Sequence, residues 1–310
     1  MMKTFALMTT LFIALSLFLA WTPDLSRETL LHSYSRAGTY PIKVQEQSVF
    51  LQDSGPKEAP TLVLLHGFGA SLQTWDPWVS ELEKEGRVLR MDVAGFGLSG
   101  PAANNDYSDA ADVARLLALL DQLGLQQVAL GGHSMGGRIA WHFAVAHPER
   151  VSQLILVSPD GFPDPNATTD KTYKVSPLLG LMQYSLPAWA LRMGVAPAYG
   201  DERLLTPAIM RRYQDMMRAP GVRAAVIERM RQSRNIDPVP LLQTLKMPVL
   251  LVWGEKDAFI PISNAQDYLK AIPQATLVSV PFAGHVVHEE APMASVQAVK
   301  AFLAQFKTAI

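Results

Sequence analysis

Gln127-Val128-Ala129-Leu130-Gly131-Gly132-His133-Ser134-Met135-Gly136-Gly137 runs from a short apolar segment into glycine and out into Met135–Ala146, which has helical periodicity. Gly132-His133-Ser134-Met135-Gly136 fits G-x-S-x-G. The spacing has a steric reason: a serine on a tight strand-to-helix turn needs strained backbone angles, and side chains two residues to either side would collide. Such a turn lifts the Ser134 hydroxyl clear of a sheet and sets it at the positive end of a helix. A bare five-residue match occurs by chance. Here it follows a strand pattern, opens a helix pattern and carries two further glycines, Gly131 and Gly137.

The same rhythm extends outward in both directions. Thr61–Leu65, Arg87–Asp92, Gln127–Leu130, Gln153–Val157, Pro248–Trp253 and Thr276–Val280 are short β-branched or leucine-rich runs ending in loops rich in Gly, Pro, Asp or Ser. Trp75–Glu85, Ser108–Leu123, Met135–Ala146, Ile262–Ala271 and Pro292–Phe306 carry helical patterns between or after them. Continuous apolar strands alternating with amphipathic helices predict an α/β fold, a mostly parallel sheet covered on both faces. Ile42–Gln45 and Ser48–Leu51 add a hairpin ahead of it. Thr22-Pro23-Asp24 reads as an N-cap with Pro at the first helical position, opening a short helix that presents Leu25, Leu30 and Leu31.

One stretch breaks the rhythm. From Pro163 to Pro240 there is no strand pattern, but helical pieces occur at Pro187–Met193, Thr206–Met217 and Val222–Gln232. It holds eleven Lys/Arg against seven Asp/Glu, and six of the thirteen methionines. The expected division is a core over residues 36–162 and 241–310 with a helical cap at about 163–240. Leu178, Leu179, Leu181, Met182, Leu186 and Trp189 are then expected to line a flexible apolar pocket under that cap.

Composition removes several classes. With 310 residues, a formal net charge of −1 and no cysteine, the chain has no global basic field for nucleic acid, no disulfide scaffold, no thiol nucleophile and no Cys-held metal. There is no HExxH, and no cofactor or metal is expected. The N-terminus differs in kind: Met1-Met2-Lys3 precedes an apolar run from Phe5 to Trp21 broken only by Thr9, Thr10 and Ser16. Residues 1–21 read as a signal peptide or membrane anchor, with Lys3 on the cytoplasmic side and the domain 22–310 exported. Phe18 fits an A-x-A-like cleavage site poorly, which favours the anchor.

A serine hydroxyl needs a base, and the base an orienting acid. Among seven histidines, His285 in Ala283-Gly284-His285 follows the last strand pattern and is the expected base. Asp257, in Gly254-Glu255-Lys256-Asp257 after the preceding strand pattern, is the expected acid, with Asp160 as the alternative. The order Ser134, Asp257, His285 suits such a site. The backbone N–H groups of Phe68 and Met135 are the expected oxyanion donors. His66 is expected to bond its own loop, His147 the last carbonyls of a helix, and His288 to be structural.

Together with Leu65-His66-Gly67-Phe68-Gly69 and Asp92-Val93-Ala94-Gly95-Phe96-Gly97-Leu98-Ser99, these motifs resemble the α/β-hydrolase superfamily from about Ile42 to Ala304. The resemblance implies an eight-stranded sheet. With the leader, the chain resembles small exported bacterial serine esterases and lipases with a helical cap. Epoxide hydrolases and haloalkane dehalogenases of this fold use a carboxylate nucleophile, whereas position 134 is Ser. The implied activity is hydrolysis of a small apolar carboxylic ester (EC 3.1.1 class), with C–C bond hydrolysis of meta-cleavage type or other acyl hydrolysis by the same triad as the alternative.

Overall fold

The apolar runs become strands of a single sheet. The computed structural model describes residues 21–163 and 175–305. The expected leader, apart from Trp21, lies outside the described residues, as do part of the expected cap and Phe306. Among the described residues the strands are β1 (Thr39–Val44), β2 (Gln47–Ser54), β3 (Thr61–Leu65), β4 (Arg87–Met91), β5 (Val128–His133), β6 (Val151–Val157), β7 (Val249–Gly254) and β8 (Ala275–Val280). Their order is β1-β2-β4-β3-β5-β6-β7-β8. The β1–β2 and β2–β4 pairings are antiparallel and the rest are parallel.

The central strands read as unbroken apolar runs because both of their faces are covered. In β3, Val63 and Leu65 join one core cluster with Trp141, Phe143 and Leu119, while Leu62 and Leu64 join another with Trp75, Trp78 and Val296. The first cluster lies under helices Asp109–Gln122, Met135–Ala146 and Ser263–Ala271, the second under Asp76–Leu82 and Pro292–Gln305. Each fully buried Leu or Val contributes roughly 1.5–3 kcal/mol of apolar transfer, so moving this pattern by one residue would exchange the two cores.

The sheet's order places the site. The chain leaves β3 for β4 on one side and later returns to β5 on the other, so β3 and β5 are neighbours that lead in opposite directions across the sheet. A crevice opens outside the carboxyl ends of two such strands. There β3 runs into His66-Gly67-Phe68 and β5 into Ser134.

Between Val157 and Val249 the described residues contribute no strand to the sheet. They form a 3-10 helix at Pro177–Gln183 and helices at Ala188–Val195, Pro207–Met217 and Val222–Gln232. Thr206 caps the third of these, its hydroxyl accepting from the Ile209 amide.

Two local expectations need correction. The first helix spans Arg27–Tyr34 and is capped by Ser26, whose Oγ accepts from the Thr29 amide, not by Thr22. Thr22 latches elsewhere: its amide donates to the Tyr184 carbonyl at 3.0 Å and its hydroxyl accepts from the Leu186 amide at 2.7 Å. The segment expected as one helix from Trp75 begins as a 3-10 turn, Leu72–Trp75, and becomes α-helical at Asp76–Leu82, with Pro77 in the first turn where its missing N–H costs nothing. No helix among the described residues is long and apolar enough to cross a membrane.

Candidate active site

Ser134 sits at φ 52° and ψ −119°, between the end of β5 and the helix from Met135. A non-glycine residue there stores strain, and the surroundings hold it in place. The Ser134 amide donates to Val157 O, and its carbonyl accepts from the Arg138 and Asp160 amides, all at 3.0 Å. The flanking glycines are required. A Cβ on Gly132 would lie 2.2 Å from Gly136 O, and one on Gly136 would lie 2.4 Å from Leu65 O. Both obstacles are backbone, so neither can swing aside.

The three side chains expected to act together come from the ends of β5, β7 and β8. His285 Nδ1–H donates to Asp257 Oδ2 at 2.8 Å, with both side chains almost fully buried. The other carboxylate oxygen, Asp257 Oδ1, accepts from the Phe259 and Ile260 amides at 2.9 and 2.8 Å. That fork fixes which oxygen faces the imidazole. Asp160, the alternative acid, faces Arg138 instead at 3.8 Å, and its carbonyl takes the Trp141 indole N–H.

The loop after β3 packs directly on the serine: a Cβ at Gly67 would lie 3.1 Å from Ser134 Cβ. His66 holds that loop. Its Nε2 accepts from the Val93 amide at 3.0 Å, so Nδ1 carries the proton and donates to Gly67 O at 2.8 Å. Burial pushes its pKa down to about 4, keeping it neutral. The Phe68 and Met135 amides make no hydrogen bond to any described residue. Both side chains line the cavity over Ser134.

Two histidines have roles the sequence left unread or only partly read. His133, the variable position of the elbow, donates from Nε2 to the His285 carbonyl at 3.0 Å and packs between the rings of His285 and His288. His288 stacks on Trp75 and donates to Thr74 Oγ1. Burial pushes both imidazoles well below the usual histidine range. They are therefore uncharged neighbours that orient the loop carrying His285. His147 does not bond the last carbonyls of its helix as expected; its Nδ1 lies 3.8 Å from Glu149.

The cap segment is tied to the same loop. The His285 amide donates to Ala198 O at 2.7 Å, and the Glu290 carboxylate accepts from the Gly284, Gly200 and Asp201 amides. Any movement of Ala198–Asp201 therefore acts on the backbone of His285.

The cavity over Ser134 has a volume of about 660 Å³ and a mostly apolar exposed wall, to which Phe68, Met135, Ile139, Met230, Ile236 and Ile260 contribute, but most of the cap residues expected to line it do not. Of the six cap residues expected there, only Leu179 lines it; Leu186 is buried in the core, Met182 packs partly buried against it, and Leu178, Leu181 and Trp189 face outward. Paired charges also reach this wall. Arg138 forms a bidentate pair with Asp109 at 2.8 Å, and Arg229 one with Asp112 at 2.6 and 3.0 Å. Charged residues on amphipathic helices ordinarily face water, so no sequence signal marked these as pocket residues. Among the described residues there is no cluster of three His, Asp or Glu able to hold a metal.

A sheet of this order, with a strained serine between β5 and its helix and an Asp–His pair on later strand ends, defines the α/β-hydrolase class. Residues 60–292 match the model of the alpha/beta hydrolase fold family, and the chain belongs to that family. A putative 2-succinyl-6-hydroxy-2,4-cyclohexadiene-1-carboxylate synthase of Bacillus subtilis is 30% identical over 272 residues, covering 86% of this chain and 98% of the relative. A 2-hydroxy-6-oxononadienedioate/2-hydroxy-6-oxononatrienedioate hydrolase of Pseudomonas sp is 28% identical over 243 residues, covering 77% and 85%. The crystal structure of a membrane phospholipase A, a bacterial virulence factor, superposes with a TM-score of 0.76 at 25% identity, covering 99% of this chain and 100% of that one. The chain is thus a hydrolase of the α/β family, and its relatives span several reactions.

Proposed function

We propose that the protein is a membrane-associated serine hydrolase that cleaves carboxylic esters of apolar acyl groups. The observation that carries this reading is the hydrogen-bonded Asp257–His285 pair, whose imidazole packs on His133, the residue before the strained Ser134, with the Phe68 and Met135 amides unpaired among the described residues. Ser134 Oγ attacks the ester carbonyl while His285 Nε2 takes its proton, and the Phe68 and Met135 amides bind the oxygen that becomes negative. His285 then passes the proton to the departing alcohol, leaving an acyl-Ser134 ester. Water, deprotonated by His285, attacks that ester and releases the acid. Asp257 holds the imidazole throughout with Nδ1 protonated. The likeness to a membrane phospholipase A across nearly the whole chain, together with the apolar run Phe5–Trp21, supports both the lipid-like ester and the exported, membrane-anchored location.

The test is hydrolysis of p-nitrophenyl esters from acetate to palmitate by the full chain beside Ser134→Ala, with fluorophosphonate labelling of Ser134. Serine-dependent turnover supports the reading. Absence of turnover on every ester, with Ser134 still labelled, moves it to C–C hydrolysis. That second reading draws on the dienedioate hydrolase relative and on the arginine–carboxylate pairs that reach the otherwise mostly apolar cavity wall. A vinylogous diketone assay distinguishes the two.

A further inference from the structure

Several large apolar side chains of the cap segment are exposed instead of lining the cavity. Leu178 and Leu181 are 74% and 61% exposed, Tyr184 65%, Trp189 68% and Met193 70%, and Trp21 beside them is 57% exposed. With Leu179, they make seven of the twelve large apolar residues exposed among the described residues, so the exposure is concentrated in residues 178–193 and at Trp21. Leu178 and Leu181 are three apart on the 3-10 helix Pro177–Gln183, and Trp189 and Met193 four apart on Ala188–Val195, so each pair shares a face. From Val175 to Gly200 the only charged side chain is Arg192. A water-facing surface of that length ordinarily carries several charges.

Two further observations bear on what would cover this face. The amide and hydroxyl of Thr22 bond to Tyr184 and Leu186, so the chain enters the described fold on the patch itself. Before it stand the twenty residues Met1–Ala20, whose only charged side chain is Lys3 and which are apolar almost throughout from Phe5. The membrane anchor read from that composition ends at Trp21, whose chain neighbour Thr22 bonds to Tyr184. Trp and Tyr favour the headgroup boundary, where one side of the ring is apolar and the other wet. Leu179 is 37% exposed in the patch and also lines the cavity above Ser134, so patch and cavity meet.

We propose that this cap face is a bilayer-docking surface, seated in the lipid headgroup and upper acyl region, so that the cavity takes its ester from membrane lipid and not from water. The inference rests on the ester-hydrolase and membrane readings above and names their substrate class. Docking holds the Leu179 side of the cavity against the lipid phase, and an acyl ester reaches Ser134 without full transfer through water.

The chain lacks cysteine, so Leu181→Cys, Trp189→Cys and, as a control on an exposed site elsewhere, Met293→Cys each take a single bimane label. The labelled full-length proteins are reconstituted in phosphatidylethanolamine/phosphatidylglycerol vesicles, with or without lipids carrying a nitroxide on the acyl chain. The labels at 181 and 189 should be quenched at least about twofold more than that at 293. Equal quenching at all three sites overturns the proposal. So do labels at 181 and 189 that are already shielded in detergent and do not change on reconstitution, as covering by residues 1–20 or by a second copy would give. In parallel, the full-length triple variant Leu178→Glu/Leu181→Glu/Trp189→Glu should lose about tenfold in hydrolysis of vesicle phospholipid while keeping soluble p-nitrophenyl butyrate hydrolysis within about twofold. Undiminished activity on vesicle lipid overturns the proposal. A wild-type protein inert toward both esters refutes the ester-hydrolase reading instead, and the quenching still reports on docking.

Discussion

Asp257→Asn isolates the orientation of the base from its presence. In the wild type, Asp257 Oδ1 is occupied by the Phe259 and Ile260 amides, leaving Oδ2 for His285 Nδ1 at 2.8 Å. An asparagine must keep its single oxygen toward those two amides, which turns its NH2 toward the imidazole. Nδ1 then has to accept, the ring proton moves to Nε2, and His285 can no longer take the Ser134 proton. The opposite flip restores the useful tautomer but sets the NH2 against two N–H donors. Each orphaned donor costs about 1–2 kcal/mol at this partial burial. Loss of the negative charge that steadies the imidazolium adds to this. The expected drop in kcat is about 10³- to 10⁴-fold, or about 4–5.5 kcal/mol. Because the shape is conserved, the variant should unfold within about 1 kcal/mol of wild type. Steady-state hydrolysis of p-nitrophenyl butyrate beside urea unfolding checks both figures. A folded variant with kcat within about tenfold of wild type would refute the argument that Asp257 sets the tautomer of His285.

Gly132→Ala places a Cβ 2.2 Å from Gly136 O, and should cost at least about 3 kcal/mol in urea unfolding or yield no soluble protein; a fully stable variant would show that the elbow relaxes. Arg229→Met leaves Asp112, which is 4% exposed, with Arg115 as its remaining partner. A loss of about 3 kcal/mol is expected, with part regained on adding Asp112→Asn, and urea titration of the single and double variants reads both. His142, lowered to about 4 chiefly by burial, binds its proton less readily folded than unfolded. Its contribution is complete above the ordinary histidine value and is lost as pH falls through about 4. Wild type should therefore lose about 2 kcal/mol relative to His142→Gln between pH 7 and pH 5, measured by urea unfolding at each pH; parallel pH profiles would contradict the assignment.

The legible part of this protein is what neighbouring residues decide among themselves. Thr61–Leu65 and Gln153–Val157 read as strands because two buried faces demand unbroken apolar runs, and both are strands. Ser134 read as an elbow because the glycine spacing answers a clash among five consecutive residues, and the backbone there is as strained as that spacing requires. Helix ends were legible only where a cap is short-range and unrivalled. The pattern Ser108–Leu123 is the helix Asp109–Gln122 with Ser108 as its cap, but Ser26 displaced Thr22, because Thr22 is drawn into hydrogen bonds with Tyr184 and Leu186.

Tertiary structure decided what depends on meetings across the chain. Asp257 and Asp160 both follow strand ends, and only the register of β6, β7 and β8 brings one of them to His285 while leaving the other with Arg138. His133 is unremarkable in sequence because its partner, the His285 carbonyl, lies 152 residues away. The cavity wall is the fullest case. Apolar cap residues and paired arginines each have periodicity that allows two faces, and which face looks inward depends on the surface opposite. Hydrophobic pattern records that a residue prefers an apolar neighbour; it does not record whether that neighbour is the core, the substrate or something outside the chain.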